Sequence, residues 1–196
     1  PAIATYCRAR GIDVGVDRIP VMPAAHYLCG GIRTDGAGRT ALRNLYALGE
    51  CAGSGLHGAD RLASNSLLEA LVIPRHAAKA MLRRMPTHAP NTDRPVGGPA
   101  AGGPTGRPID SKTLHDGLRR AMTMHAGILR SEHGLHLALR RVEQVGLAVE
   151  RAWSNNDHRD EVIILRNLVA TARAIVLSAL KEPRSIGTHW ISAIRG

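Results

Sequence analysis

A chain of 196 residues can fold as one domain with a real core or as two small units. Its 26 Lys and Arg against 16 Asp and Glu give a formal charge of +10, but the charge is mostly Arg spread along the chain, with no basic run interleaved with aromatics, which argues against nucleic-acid binding. An apolar share of 44% excludes global disorder, and without Phe the core has to be built from Leu, Ile, Val and Ala.

In chain order, Thr5–Arg10 reads as the end of a helix closed by Gly11. His26–Thr34 reads as a strand running into the turn Asp35-Gly36-Ala37-Gly38, and Leu45–Leu48 as a short buried strand. A Gly-rich loop, Gly49–Gly58, precedes a helix from Asn65 to about Met85 that places Leu67, Leu68, Leu71 and Val72 on one face and should kink at Pro74. Pro86–Pro108 is dominated by Pro and Gly and reads as a linker. Three amphipathic helices follow: Ser111–Leu129, opened by a capping residue, Glu132–Trp153 and Asp160–Leu180. Their short connections predict a three-helix bundle, with an irregular tail from Lys181.

Cys7, Cys29 and Cys51 form no CxxC pair, which points to a reducing compartment, and no spacing of Cys and His suits zinc. The polar, Arg-bearing start is not a signal peptide, and no uncharged apolar run reaches about 18 residues, so a cytoplasmic chain without a membrane span is expected. The chain starts at Pro1, not Met, and reads as a fragment, a processed product or an incomplete sequence.

Gly53-Ser54-Gly55-Leu56-His57-Gly58 matches GxGxxG, but no helix opens at the third glycine, so a flexible active-site loop is the better reading. The densest signal lies between Pro20 and Ala78. It contains Pro23-Ala24-Ala25-His26-Tyr27 followed by Gly30-Gly31, then Asp35 with Gly38-Arg39-Thr40, then Leu45-Tyr46-Ala47 with Gly49-Glu50. Gly55-Leu56-His57-Gly58-Ala59 and Arg61 follow, then Ala63-Ser64-Asn65-Ser66-Leu67-Leu68-Glu69. In order, spacing and rare residues this block resembles the L-aspartate oxidase family of FAD-dependent fumarate reductase/succinate dehydrogenase flavoproteins. Gly127-Ile128-Leu129-Arg130-Ser131 and Leu165-Arg166-Asn167-Leu168 extend the resemblance to nearly the whole chain outside the linker.

The resemblance implies an α+β architecture: the C-terminal segment of an FAD-binding α/β domain followed by a three-helix bundle. Residues 1–18 would end a capping domain, 19–85 return to the FAD domain, 86–108 form the linker and 109–196 the helical bundle. It implies FAD as cofactor, and as substrate L-aspartate or another C4 dicarboxylate, oxidised to iminoaspartate in NAD biosynthesis with oxygen or fumarate as acceptor. Quinolinate synthase is the implied candidate partner. His26 and Arg61 match the substrate-carboxylate ligands, and an Arg fork suits a carboxylate. Glu50 matches the acid that binds FAD sugar hydroxyls. Ser66 and Leu67 match backbone contacts to the flavin, where a helix amino end can stabilise negative charge. His57 either lines the pocket or packs its loop, and Gly30 and Gly31 are expected to let the backbone approach the cofactor.

Several residues depart from the family pattern. Asp60 stands where the family has Asn and can pair with Arg61, Pro74 interrupts a normally continuous helix, and His189 is a loose counterpart of a C-terminal histidine. The family's phosphate-binding GxGxxG and the capping-domain arginine that acts as acid/base lie outside the matched residues. The rival readings are a succinate dehydrogenase or fumarate reductase flavoprotein fragment, and a non-catalytic remnant or docking subunit.

Overall fold

The computed structural model describes residues 2–84 and 103–192. The first part of the expected linker, 86–102, lies outside them, and 103–108 have no regular structure. The described residues form five α-helices and four two-residue strands.

In the N-terminal half, helix α1 (Ala2–Arg8) ends as Gly11 predicted. Gly11 N–H donates to the Arg8 carbonyl and Ile12 N–H to the Cys7 carbonyl, with Gly11 at φ 74°, the left-handed closure that glycine allows. The expected strand at 26–34 shrinks to β1 (Ile32–Arg33), which pairs in parallel with β2 (Ala52–Gly53). The reason is visible at Cys29, whose φ of 58° breaks an extended run. Leu45–Leu48 is likewise not a buried strand. Tyr46 makes a single antiparallel bridge to Arg39, Ala47 is buried, and Leu45 is exposed. The turn between them is fixed by Asp35, whose Oδ1 accepts from the N–H groups of Ala37 and Arg39 while Oδ2 pairs with Arg39 Nε at 2.7 Å. A Cβ at Gly38 would collide with Leu48, so the Asp-x-x-Gly-Arg-Thr string is a turn signature.

Helix α2 (Asn65–Leu82) continues unbroken through Pro74, which leaves the Ala70 carbonyl without its usual N–H donor. Its apolar face is Leu67, Leu68, Leu71 and Val72, as expected, but all four are exposed. Ile3, Val16, Val21 and Met22 are exposed too, and among the described residues the buried apolar side chains in this half are Cys7, Ala47, Ala52 and Ala77. The apolar burial of this half is correspondingly small.

The C-terminal half carries the core. Helices α3 (Ser111–His125), α4 (Glu132–Ser154) and α5 (Asp160–Lys181) each pack on the other two. One cluster joins Leu118, Val142, Val145, Val149, Val162 and Leu165, and a second joins Leu135, Ala138, Val176 and Ala179. The cap of α3 is Asp110, one residue before the expected Ser111, and its Oδ1 accepts from Thr113 N–H at 3.0 Å. Ser131 caps α4 through Gly134 N–H at 3.0 Å. Helix α5 is long and apolar enough to cross a membrane by length and composition, but it contains Arg166 and Arg173, and Val162, Leu165, Ala172, Val176 and Ala179 are buried in the fold. The tail is more ordered than expected: β4 (Trp190–Ile191) pairs in parallel with β3 (Leu129–Arg130).

Leu165 is 1% exposed at the centre of the larger cluster. Leu165→Ala is expected to destabilise the helical half by about 2–5 kcal/mol, whereas Leu147→Ala at the exposed face of α4 is expected to stay within about 0.5 kcal/mol. Chemical denaturation followed by helix content checks both.

Candidate functional site

Glu69 lies one turn into α2 and is 2% exposed. An unpaired buried carboxylate costs several kcal/mol, so partners are required. Three converge on it from two other segments. Ser54 donates its hydroxyl to Oε1, His57 Nε2 lies 2.9 Å from Oε2, and Tyr27 donates its hydroxyl to Oε2 at 3.4 Å. Burial pushes the Glu69 carboxyl up, but these hydrogen bonds outweigh it and hold the group below its ordinary value. Burial and the nearby Glu69 and Glu50 charges push the Tyr27 phenol up, with Arg61 opposing. His57 is 9% exposed and meets the Tyr27 ring edge-on at 5.2 Å. Its Nδ1 is buried without a partner.

Tyr27 passes this order on to Arg61. The Arg61 guanidinium carbon stands 4.8 Å from the Tyr27 ring centroid, and Nη1 donates to Ser66 Oγ at 3.3 Å. Arg61 Nε is buried and unpartnered. Asp60 is exposed and forms no ion pair with Arg61 among the described residues, so the anticipated competition is not present.

The amino end of α2 is open beside this arginine. Ser64 occupies the cap position in the left-handed conformation, φ 67°, and its side chain caps nothing, so neither it nor Asn65 satisfies the helix end. Leu67 N–H bonds back to the Ser64 carbonyl at 3.0 Å. Glu50, exposed in the 3-10 turn Gly49–Cys51, accepts Leu28 N–H on Oε1 at 3.3 Å and so ties its turn to the segment bearing Tyr27. His26 is exposed in the same segment, which has no regular structure there.

Of the residues the sequence singled out, the fold brings Arg61 and Ser66 into contact, with Leu67 next along the helix and Glu50 bonded to the 26–28 segment. Among the described residues no hydrogen bond joins His26 to Arg61. A Cβ at Gly31 would collide with the Cys51 carbonyl, so glycine lets this strand lie close to the neighbouring backbone. Glu69, Ser54 and Tyr27 had no assigned role. The available signal was an acid at position 69, directly after the apolar pair Leu67-Leu68 near the start of the helix. An unpartnered buried guanidinium nitrogen beside an uncapped helix end, with a carboxylate on the adjoining turn, is a donor and acceptor set that fits an anionic substrate and a sugar-bearing cofactor.

Residues 2–67 match the FAD binding domain family and residues 115–193 the fumarate reductase flavoprotein C-terminal family. The chain is 40% identical over 190 residues to L-aspartate oxidase 1 of Ralstonia nicotianae, covering 97% of this chain and 36% of that protein. It is 40% identical over 194 residues to L-aspartate oxidase of Pseudomonas aeruginosa, covering 97% of this chain and 35% of that protein. A solved quinol-fumarate reductase with menaquinol superposes with a TM-score of 0.83 at 28% identity, over 98% of this chain and 36% of that one. Both stretches of the chain thus resemble FAD-dependent fumarate reductase/succinate dehydrogenase flavoproteins. Within that class it matches the C-terminal part of the L-aspartate oxidases, and it spans about a third of the length of the curated relatives.

The Glu69 carboxyl sits below its ordinary 4.5, so its stabilising contribution is complete above that pH and is lost as pH falls through the native value. Unfolding measured across an acid pH series should show this loss, and Glu69→Gln should flatten it. Glu69→Ala, which leaves the buried His57 and Ser54 without their acceptor, is expected to cost about 1–3 kcal/mol.

Proposed function

We propose that the chain is part of an FAD-dependent L-aspartate oxidase that converts L-aspartate to iminoaspartate in de novo NAD biosynthesis, with oxygen or fumarate as the final acceptor. The reading makes the protein cytoplasmic, with quinolinate synthase as its candidate partner. The observation that carries it is Arg61: a guanidinium stacked on Tyr27, bonded to Ser66, and left with a buried unpartnered Nε. In this reading residues 1–18 close a capping domain, 19–85 return to the FAD domain, 86–108 link the halves and 109–196 form the helical bundle.

Arg61 grips one substrate carboxylate with a charge-assisted hydrogen bond, and stacking on Tyr27 fixes the plane of its fork. His26, beside Tyr27 in the chain, supplies a second donor to the substrate. Glu50 would accept hydroxyl hydrogen bonds from the FAD sugar chain, and the backbone at Ser66 and Leu67, at the uncapped amino end of α2, would face the flavin ring. FAD, when bound, accepts the hydride that leaves the substrate carbon. The acid/base group is expected from sequence outside this chain.

The solved fumarate reductase likeness supports a second reading, a flavoprotein acting on succinate or fumarate. The higher identity to the L-aspartate oxidases favours the first.

The exposed apolar face of α2 and the pair of two-residue strands in the FAD half imply that 196 residues alone hold FAD poorly. An FAD titration of this chain should show no tight binding, and bleaching by L-aspartate would overturn that. In the complete flavoprotein, Arg61→Gln is expected to lower kcat/KM for L-aspartate by roughly 10–100-fold, the loss of one charge-assisted contact of about 1.5–3 kcal/mol, with FAD affinity retained. Steady-state kinetics and flavin fluorescence check this.

A further inference from the structure

The tail and the loop that carries Arg61 are far apart in sequence and touch in the fold. Ile186 and His189 close a tight turn on each other, with N–H to carbonyl bonds of 2.9 and 3.0 Å in the two directions. At its tip, Thr188 donates both its backbone N–H, at 3.0 Å, and its hydroxyl, at 3.2 Å, to the Ala59 carbonyl. Ala59 stands two residues before Arg61. Gly187 takes φ 55°, and a Cβ there would collide with the carbonyl and Cβ of Ala59, so only glycine lets the turn seat this closely.

The other side of the turn is bolted to the helical half. Arg130 donates from Nη1 to His189 Nδ1 at 2.8 Å and from Nε to the Gly127 carbonyl at 2.8 Å. Because arginine only donates, His189 Nδ1 is the acceptor and its Nε2–H donates to the Glu182 carbonyl at 2.9 Å. Pairing of β3 with β4, and Ser192 N–H on the Arg130 carbonyl at 2.7 Å, complete the attachment. The loop 54–64 is otherwise held at Ser54 and His57, both on Glu69, and at Arg61, on Ser66; between and beside these points Gly55 and Gly58 are in the left-handed region and Asp60, Leu62 and Ala63 are exposed.

We propose that Gly187 and Thr188 are positioning residues: the tail turn is a strap, anchored on Arg130, that holds the Ala59 carbonyl and thereby fixes the loop presenting Arg61 to the substrate. The importance of Arg61 for substrate rests on the function proposed above, while the strap itself does not. It couples the order of the helical half to the geometry of a site built almost wholly from the other half.

The test has two arms. In this chain, hydrogen exchange at the Gly58, Asn65 and Thr188 amides is compared between wild type and Gly187→Ala. The expected result is about tenfold faster exchange at these amides with α4 and α5 unchanged. Thr188→Val, which removes only the hydroxyl bond, should give a smaller change in the same amides. No change at the loop, or equal acceleration throughout α4 and α5, overturns the strap. In the complete FAD-loaded flavoprotein, Gly187→Ala should raise KM for L-aspartate several-fold while kcat and FAD affinity hold. An unchanged KM with a loosened loop would overturn the positioning role. Failure of the wild type to oxidise L-aspartate would defeat the functional reading and leave the exchange arm to decide the strap.

Discussion

The candidate site depends on one buried carboxylate being satisfied. Glu69 cannot stay ionised at 2% exposure unless Ser54, His57 and Tyr27 come to it, and those three sit on two loops with little regular structure. Their convergence does the work that a large core does elsewhere. It pins the Gly-rich loop to α2 and presents the Tyr27 face to Arg61. A buried hydrogen-bond network and the Arg61 guanidinium are thus two ends of one chain of contacts.

The halves of the chain meet their folding costs differently. The helical half buries Leu, Val and Ala between three helices, two of them capped at their amino ends by Asp110 and Ser131. The other half leaves Leu67, Leu68, Leu71 and Val72 uncovered and contributes a single pair of two-residue strands. The uncovered face begins where the FAD binding domain match ends, at residue 67, in a chain that spans about a third of its relatives' length. The tail turn on Ala59 hydrogen-bonds the well-packed half to the poorly packed one.

What could be read from sequence followed from local physics. Helical periodicity placed α2, α4 and α5 within a few residues of their observed bounds, and Gly11 closed α1 as a left-handed glycine should. The strands were not legible. A run such as Leu45–Leu48 looks buried by composition, but whether it is depends on neighbours that are distant in sequence, and here Leu45 has none to cover it. The motif strings singled out His26 and Arg61 for substrate and Glu50, Ser66 and Leu67 for the cofactor, and the fold bonds Arg61 to Ser66. They could not show why Glu69 ends the string, since its partners at 27, 54 and 57 are gathered only by tertiary structure. His26 is exposed, and its substrate role rests on the resemblance alone.

The measurement that bears most directly on the account is the absorbance of bound flavin in the complete flavoprotein, recorded anaerobically with L-aspartate and, separately, with succinate. The account predicts bleaching by L-aspartate and little by succinate. Bleaching by succinate alone, or a protein that holds no flavin, would contradict it.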